Sequence, residues 1–572
     1  MSLLPSPGSE LKRRHILVVF ACFILISCLQ YSLRSYDDNR LTGWESVFRA
    51  ADPLIVLFLL IPGSLAAWLF SRLPWPGRHP ALVLFCISYA VSVLFWNEPE
   101  LILDASRYFV QAKYMELHGP GYFFREWGRG IFAWTDMPVM PFLYGLLFRL
   151  FGESRLVIQL LTTFFFSMTP VLTFLVGKRL WDKETGFIGG LLLLGIPYLF
   201  PQVPLMLVDI PLMFFFLLSV YIFIVAVEQG GIMIGLASVP ICLTFFVKYS
   251  SALLLTELPV IAGVYFMQSL GREKNATIPS QAVLIRGAAV IVISGLLIGF
   301  VFMAKTDVFL AQIKLLLDYQ KPGLSRWGES FFSTFLFQVH PVLSLAGIIS
   351  LWAAFRKRDL KYIIVLWLPL LIAVLQIRRT RYLIAIFPMV SLMAAYGLMQ
   401  IKRVDLRRSI AAGVVASSVV LAFFAYRPFL NTVSVVNLKD AGQFIDTLRG
   451  DALEVITAYE GNPETSPAVA VPMLDLFTDR QITYRDLKGP ASIPRDVAVS
   501  SMRFTWEYRN PPYYEAPRRS GLPGTVVVVI TDIRGELPGT VRDATRGYAS
   551  VRLFEADEQE FAFKTYVRVY FN

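Results

Sequence analysis

Apolar runs long enough to cross a bilayer recur through the first three-quarters of this 572-residue chain, and no other feature narrows its fold so far. Crossing about 30 Å of hydrocarbon at about 1.5 Å per residue takes about 20 residues of helix. Runs of that order are expected at roughly 15–32, 53–71, 80–97, 154–176, 185–200, 205–227, 231–247, 251–268, 283–303, 333–354, 362–377, 381–400 and 409–426. Composition agrees: 55% hydrophobic residues and a mean hydropathy of +0.57 leave too few polar side chains to cover a water-soluble globule. The expected fold is a polytopic α-helical membrane protein of about 13 transmembrane helices. In the opening MSLLPSPGSELKRRHILVVF a basic stretch precedes the first run without a small-residue cleavage site, so it reads as a retained helix.

Charge sets the orientation. With the N-terminus inside, the inner loops collect Lys12–Arg14, Arg72 and Arg78, Lys178, Arg179 and Lys183, Arg272 and Lys274, Arg356–Arg358 and Lys361, and Lys402, Arg403, Arg407 and Arg408. That is the positive-inside pattern, and it accounts for much of the net charge of +11 without a nucleic-acid partner. The four cysteines lie in apolar runs with no CxxC or Cys/His cluster, which supports neither a zinc site nor a disulfide framework.

Three outer segments are long: 98–153, 304–332 and everything after about 427. PVMPFLYGLLFRLFG (138–152) is apolar but too short to cross and carries Arg149, so a helix lying in the interface is expected. The 304–332 loop, containing DYQKPGLSRWGES, is a candidate cover for an outer cavity. In the tail, AGQFIDTLRG has the pattern of an amphipathic helix, EVITAY and TVVVVITDI of buried strands, and KTYVRVYF of an alternating strand. Two domains are expected: a membrane domain over 1–426 and an α/β soluble domain over 427–572 on the outer face.

The candidate chemistry gathers on that face. LDASRYFVQAKYMELHGPGYFFREWGRGIFAWTDMPVMP places Asp104, Arg107, Arg125, Arg129 and Asp136 among aromatic residues. A carboxylate there can take a proton from a hydroxyl nucleophile if its pocket tunes it; the competing reading is a loop whose charges only face water. Asp209, flanked by prolines at the outer end of the sixth span, is either a functional intramembrane carboxylate or a cap. Lys248, at a tight outer turn, either meets a lipid phosphate or reaches up to water. Arg378, Arg379 and Arg381 in QIRRTRYLIAIFP fall where the topology allows few positive charges. Guanidinium forks grip phosphate oxygens; the alternatives are a headgroup anchor or a miscounted helix.

LDASRY, TDMPVMPFLYGLLFRLFGESR, VGKRLWDKETGFIGGLLLL, VDIPLMFFFLLSVYIF, LTFFVKYSSALLL and RRTRYLIAIFP, in that order over roughly 80–400, resemble the bacterial GT-C glycosyltransferases. The nearest group is the dolichyl-phosphate-mannose protein mannosyltransferase-like one, which includes the lipid A aminoarabinose transferase. The resemblance implies an inverting transfer of sugar from a polyprenyl phosphate to a hydroxyl of an envelope lipid, glycan or protein, at the outer face of a bacterial inner membrane, with the C-terminal domain periplasmic. It implies that Asp104 is the base or acceptor-orienting group, with Arg107 and Tyr108 completing the motif and Asp136 the acidic residue of the second. Asp209, Lys248 and Arg378–Tyr382 match the remaining motifs, the basic ones near the donor phosphate. Two positions depart from the pattern: Ala105 stands where the family has glutamate and Met137 where it has lysine. Arg125, Arg129 or the arginine cluster are the candidate replacements for that lysine. No cofactor follows; divalent-metal use stays open although Ala105 removes the obvious second carboxylate. The rival readings are a flippase for a lipid-linked saccharide and a non-catalytic protein that binds envelope glycans.

Overall fold

A computed structural model of the chain describes residues 7–97, 100, 103–271, 279–320, 328–432, 435–450, 452–459, 465–486, 497, 502–507, 511–515, 525–555 and 565–572. Each expected span coincides with helix, most closely at Pro53–Ser71, Arg155–Leu180, Asp209–Gln229 and Ser280–Ala304. Among the described residues seven helices are long and apolar enough to cross a membrane, or eight counting Phe331–Gln338 and Pro341–Lys357, which meet at 119°. Others, such as Pro80–Val93 and Tyr362–Val374, are shorter apolar helices. The run at 185–200 differs most. It forms the 11-residue helix Lys183–Leu193 and then a 3-10 turn, Pro197–Gln202, because Pro197 and Pro201 cannot continue the ladder of a regular helix. In the 304–332 loop, residues 321–327 lie outside the described residues; the flanks are the helices Thr306–Leu315 and Phe331–Ser333.

The loops assigned to the inner face by their charge meet one another. Arg407 pairs with Glu184 at 2.7 Å, Arg408 donates to the Trp75 carbonyl at 2.6 Å, and Trp181 donates to Asp359 at 2.9 Å. Alternating helices bring every second loop to the same end, so this grouping is what the positive-inside count requires.

At the other end the first long loop is mostly helix. Asp104–Glu126 breaks at Gly119, whose φ of 79° directs the chain into Pro120. The 13-residue helix Val139–Phe151 packs along it. Gly145 makes that contact close: a Cβ there would stand 2.3 Å from the Ala112 carbonyl oxygen.

The C-terminal domain holds a five-stranded sheet: β1 (Leu453–Ala458), β2 (Ile482–Asp486), β3 (Val526–Thr531), β4 (Ser550–Glu555) and β5 (Tyr566–Phe571), in the order β2-β1-β3-β5-β4. β1 pairs in parallel with β2 and β3, and β5 pairs antiparallel with β3 and β4. The helix Val436–Thr447 buries Leu438, Ala441 and Ile445, one face of its turn, toward this domain. The three strands expected from sequence form the middle of the sheet. The two that sequence does not reveal, β2 and β4, are its edges, which bury less and so need less hydrophobic pattern.

This domain is clasped to the first-loop helix. Lys113 reaches Asp475 at 2.5 Å and Glu153 at 3.1 Å, and the Tyr514 hydroxyl donates to Asp475 at 2.5 Å. Two carboxylates share one lysine in a poorly hydrated seam. Burial, with Asp475 beside it, pushes the Glu153 carboxyl up to about 8 against the pull of Lys113. A carboxyl raised on folding binds more protons in the folded state, so docking is strongest at low pH and weakens as pH climbs from about 4 toward that value. Protease cleavage between the domains is therefore expected to accelerate from pH 5 to pH 8, and Glu153→Gln to flatten the dependence. A wild-type rate that does not change with pH contradicts this account of the clasp.

Candidate active site

Two helices start with a carboxylate at the same end of the bundle: Asp104 opens Asp104–Glu126 and Asp209 opens Asp209–Gln229. Both anions lie at the positive end of a helix dipole. Arg381 does not: it sits in the first turn of Thr380–Leu383, where the dipole opposes a cation. The two carboxylates compensate. Arg381 Nε meets Asp209 Oδ2 at 2.6 Å and its Nη1 meets Asp104 Oδ2 at 2.7 Å.

From that centre the charges alternate. Lys248 Nζ lies 2.6 Å from the other oxygen of Asp209 and 4.9 Å from the Tyr382 ring centre. On the other side Arg107, one helical turn after Asp104, lies 3.4 Å from it and forks onto Asp136 at 2.9 and 3.0 Å. Gln111 adds a bond to Asp136 at 3.0 Å, and Gln312, held by Tyr249, donates to the Asp136 carbonyl at 2.9 Å. Thus Lys248, Asp209, Arg381, Asp104, Arg107 and Asp136 form one chain of three cations and three anions. Removing charges from water is costly, and strict alternation is what makes a buried run of six tolerable.

The chain is not uniformly buried. The Arg381 and Asp209 side chains are 5% and 4% exposed, whereas Asp104 and Lys248 are 21% and 23% exposed. Access is therefore at Asp104 and Lys248, on either side of the sealed Arg381–Asp209 pair. Burial alone would raise the Asp104 carboxyl, but Arg107 and Arg381, with Arg379 behind, outweigh it and hold the group well below the ordinary carboxylate range.

The arginine turn divides its three guanidinium groups. Arg378 is exposed and bonded to Gln376 at 2.6 Å; Arg379 is half-buried over the Tyr382 ring at 5.2 Å; Arg381 is buried. Tyr108 is buried beside Arg107. Arg125 and Arg129 are exposed and engaged elsewhere, with Glu126 and with Asp307. No contact links either of them to the six charges among the described residues. Met137 is itself packed among Trp127, Ile131, Phe246 and Phe309, and Ala105 is fully buried.

Sequence reasoning did not single out Gln111, Gln312, Glu329 or Phe504. Glu329 is buried and accepts from the Thr380 backbone N–H at 2.6 Å, fixing the arginine turn. Phe504, from the C-terminal domain, lies 4.4 Å from the Arg107 guanidinium, so that domain roofs the site. Only Glu329 carried a signal, as a carboxylate in a long outer segment. Among the described residues no group of three His, Cys, Asp or Glu side chains is gathered to hold a metal ion.

Residues 136–298 match the dolichyl-phosphate-mannose-protein mannosyltransferase family. The structure is similar to that of ArnT from Cupriavidus metallidurans in the apo state, at 12% identity over 85% of this chain and 97% of that one with a TM-score of 0.51. Against the same protein bound to undecaprenyl phosphate the values are 11%, 86%, 98% and 0.52. The oligosaccharyltransferase of Archaeoglobus fulgidus in its apo form is similar at 11% identity over 71% of this chain and 64% of that one, with a TM-score of 0.48. No curated protein sequence matches the chain. The resemblance seen in the short motifs is borne out: this is a multi-pass membrane protein with the GT-C fold and a small C-terminal sheet domain.

Because Asp104 is held low, its contribution to folding is complete above about pH 4 and is lost only as pH falls further through the folded value. The difference in Tm between wild type and Asp104→Asn is therefore expected to stay constant from pH 5 to pH 8. A difference that grows across that range would place the ionisation of Asp104 inside it and overturn this account.

Proposed function

We propose that this GT-C-fold chain is a membrane glycosyltransferase that moves a sugar from a polyprenyl-phosphate donor to a hydroxyl of an envelope lipid, glycan or protein, at the outer face of a bacterial inner membrane and with inversion. The observation that carries the proposal is Arg381, shared by Asp104 and Asp209 and flanked by the two accessible members of the charge chain. The 1–426 region is the catalytic membrane domain and 427–572 the periplasmic domain that closes over it.

In this reading the donor phosphate approaches between Lys248 and Arg381 and competes with the aspartates for their cations, while its hydrocarbon tail stays in the bilayer. The acceptor oxygen attacks the anomeric carbon as the carbon–oxygen bond to phosphate breaks. The electron pair leaves on the phosphate oxygen, next to Arg381 and Lys248, and the hydroxyl proton passes to Asp104. Positive charge waiting where negative charge develops is the main source of acceleration, and alignment of the hydroxyl opposite the leaving group supplies much of the rest. Of the two roles implied for Asp104, orienting the acceptor comes first. Flanked by guanidinium groups it is a weak base, and it gains basicity only as the incoming phosphate draws them away.

What supports a transferase over a flippase is that the six alternating charges lie together at one end of the helices, beneath Phe504 of the C-terminal domain. The test is release of free polyprenyl phosphate from labelled lipid-linked sugars by membranes containing wild type, Asp104→Asn or Arg381→Lys. Asp104→Asn is expected to lower release about 10²–10⁴-fold. Arg381→Lys loses the planar fork whose separate nitrogens address Asp104 and Asp209 and is expected to fall comparably. Equal release by wild type and Asp104→Asn removes Asp104 from the centre, and no release by wild type with several donors and envelope extract sinks the transferase reading.

A further inference from the structure

Arg381 bridges Asp104 and Asp209 only while two separate segments hold those carboxylates at one spacing. Asp104 belongs to the first long outer segment. Asp209 follows residues 203–208, all of them buried and none in a regular helix or strand. Buried backbone outside a ladder must find its hydrogen-bond partners elsewhere. Two side chains of the first outer segment supply them. The Tyr144 hydroxyl donates to the Leu207 carbonyl at 2.8 Å, and Glu100 accepts from the Met206 N–H at 3.1 Å on Oε1 and 3.2 Å on Oε2.

A glutamate is a costly choice for that task. Glu100 is fully buried, and a neutral acceptor would satisfy one N–H with less desolvation. Its charge is met by Arg155, whose Nε lies 3.4 Å from Oε1. Arg155 is fixed in turn: it donates to the Trp96 carbonyl at 3.3 Å and lies 5.3 Å from the ring of Phe477 in the C-terminal domain. Glu100 stands four residues before Asp104, and the N–H it holds stands three residues before Asp209. One side chain thus ties together the approaches to both carboxylates that meet on Arg381.

We infer that Glu100 is a positioning residue: by holding the Met206 backbone it sets Asp209 at the distance from Asp104 that Arg381 spans. This rests on the transferase reading of the site and adds to it a group that touches none of the reacting atoms. The role requires an arm of the right length ending in an acceptor, with Arg155 anchoring it from the side of the C-terminal domain.

Two variants separate length from charge. Glu100→Gln keeps the length and an acceptor oxygen for Met206 but loses the charge; Glu100→Asp keeps the charge and shortens the arm by one methylene. Purified full-length protein in detergent is assayed for release of polyprenyl phosphate from labelled undecaprenyl-phosphate sugars, with envelope extract as acceptor, over a range of donor concentrations. Tm is recorded for each variant. Glu100→Asp is expected to lower kcat about tenfold to a hundredfold, the effect of displacing a reacting constellation by about an ångström, and to change KM less. Glu100→Gln is expected to keep most of the kcat while its Tm falls, because Arg155 loses its counter-charge. Glu184→Gln, which breaks the ion pair with Arg407 at the opposite end of the bundle, is expected to lower Tm with kcat unchanged, so that lost stability and lost rate are told apart. A kcat for Glu100→Asp equal to wild type, or one for Glu100→Gln as low as that of Glu100→Asp, overturns the inference and leaves the transferase reading intact. No release by wild type from any donor overturns both.

Discussion

A guanidinium held between two carboxylates, Arg381 between Asp104 and Asp209, is the contact on which this end of the molecule depends. Each partner comes from a different part of the chain: a loop helix, the head of a span and a turn between two spans. None of the three is comfortable alone. A buried charge without its partners costs several kcal/mol, so the pairing fixes where the three segments stand relative to one another. Lys248 and Arg107 extend the same logic outward, and Asp136 ends it. The geometry that holds these segments in register also sets Lys248, Arg381 and Arg107 in a row, each beside a carboxylate.

The sequence disclosed the bundle well because hydrocarbon imposes a length and an apolarity that soluble folds do not. The helix Pro53–Ser71 coincides with its expectation, and the loops around Arg407, Arg408 and Glu184 gather at one end as their charges imply. The site was legible one residue at a time, since an aspartate or arginine at membrane level is rare enough to be noticed. Which of them meet was not legible. Asp104 and Arg381 are 277 positions apart, and no local pattern encodes such a contact. Arg125 and Arg129 suited the site by type and loop, and their pairing with Glu126 and Asp307 was no more legible than that of Arg381. Polar residues such as Gln111 and Gln312 escaped because an amide in a helix has no signature until its partner is known. The outer strands β2 and β4 escaped because an edge needs little apolar patterning.

The two departures from the family pattern have a structural setting. Ala105 and Met137 are both packed in apolar surroundings, with no unpartnered charge left at either position to mark what is missing. Asp136, beside Met137, is instead held by Arg107 and Gln111. The chain of charges is thus complete without the family's glutamate and lysine. The soluble domain belongs to the same construction, since Phe504 covers Arg107 and Asp475 reaches back to Lys113. It is less an appendage than a fourth wall.

The chain of six charged side chains is balanced, three of each sign, and that balance has a consequence for turnover. A phosphodiester donor brings one negative charge into a neutral enclosure. After transfer the leaving monoester carries two, but the proton taken by Asp104 cancels one, so in the proposed reaction the enclosure holds the same total before and after. Only the location of the charge changes, from the carboxylate side to the cation side, over a few ångströms. Little rearrangement of distant lipid or solvent is then needed to follow the chemistry, and the reset is a single event: Asp104 gives up its proton, Arg381 closes again on both aspartates, and the spent lipid phosphate loses its grip.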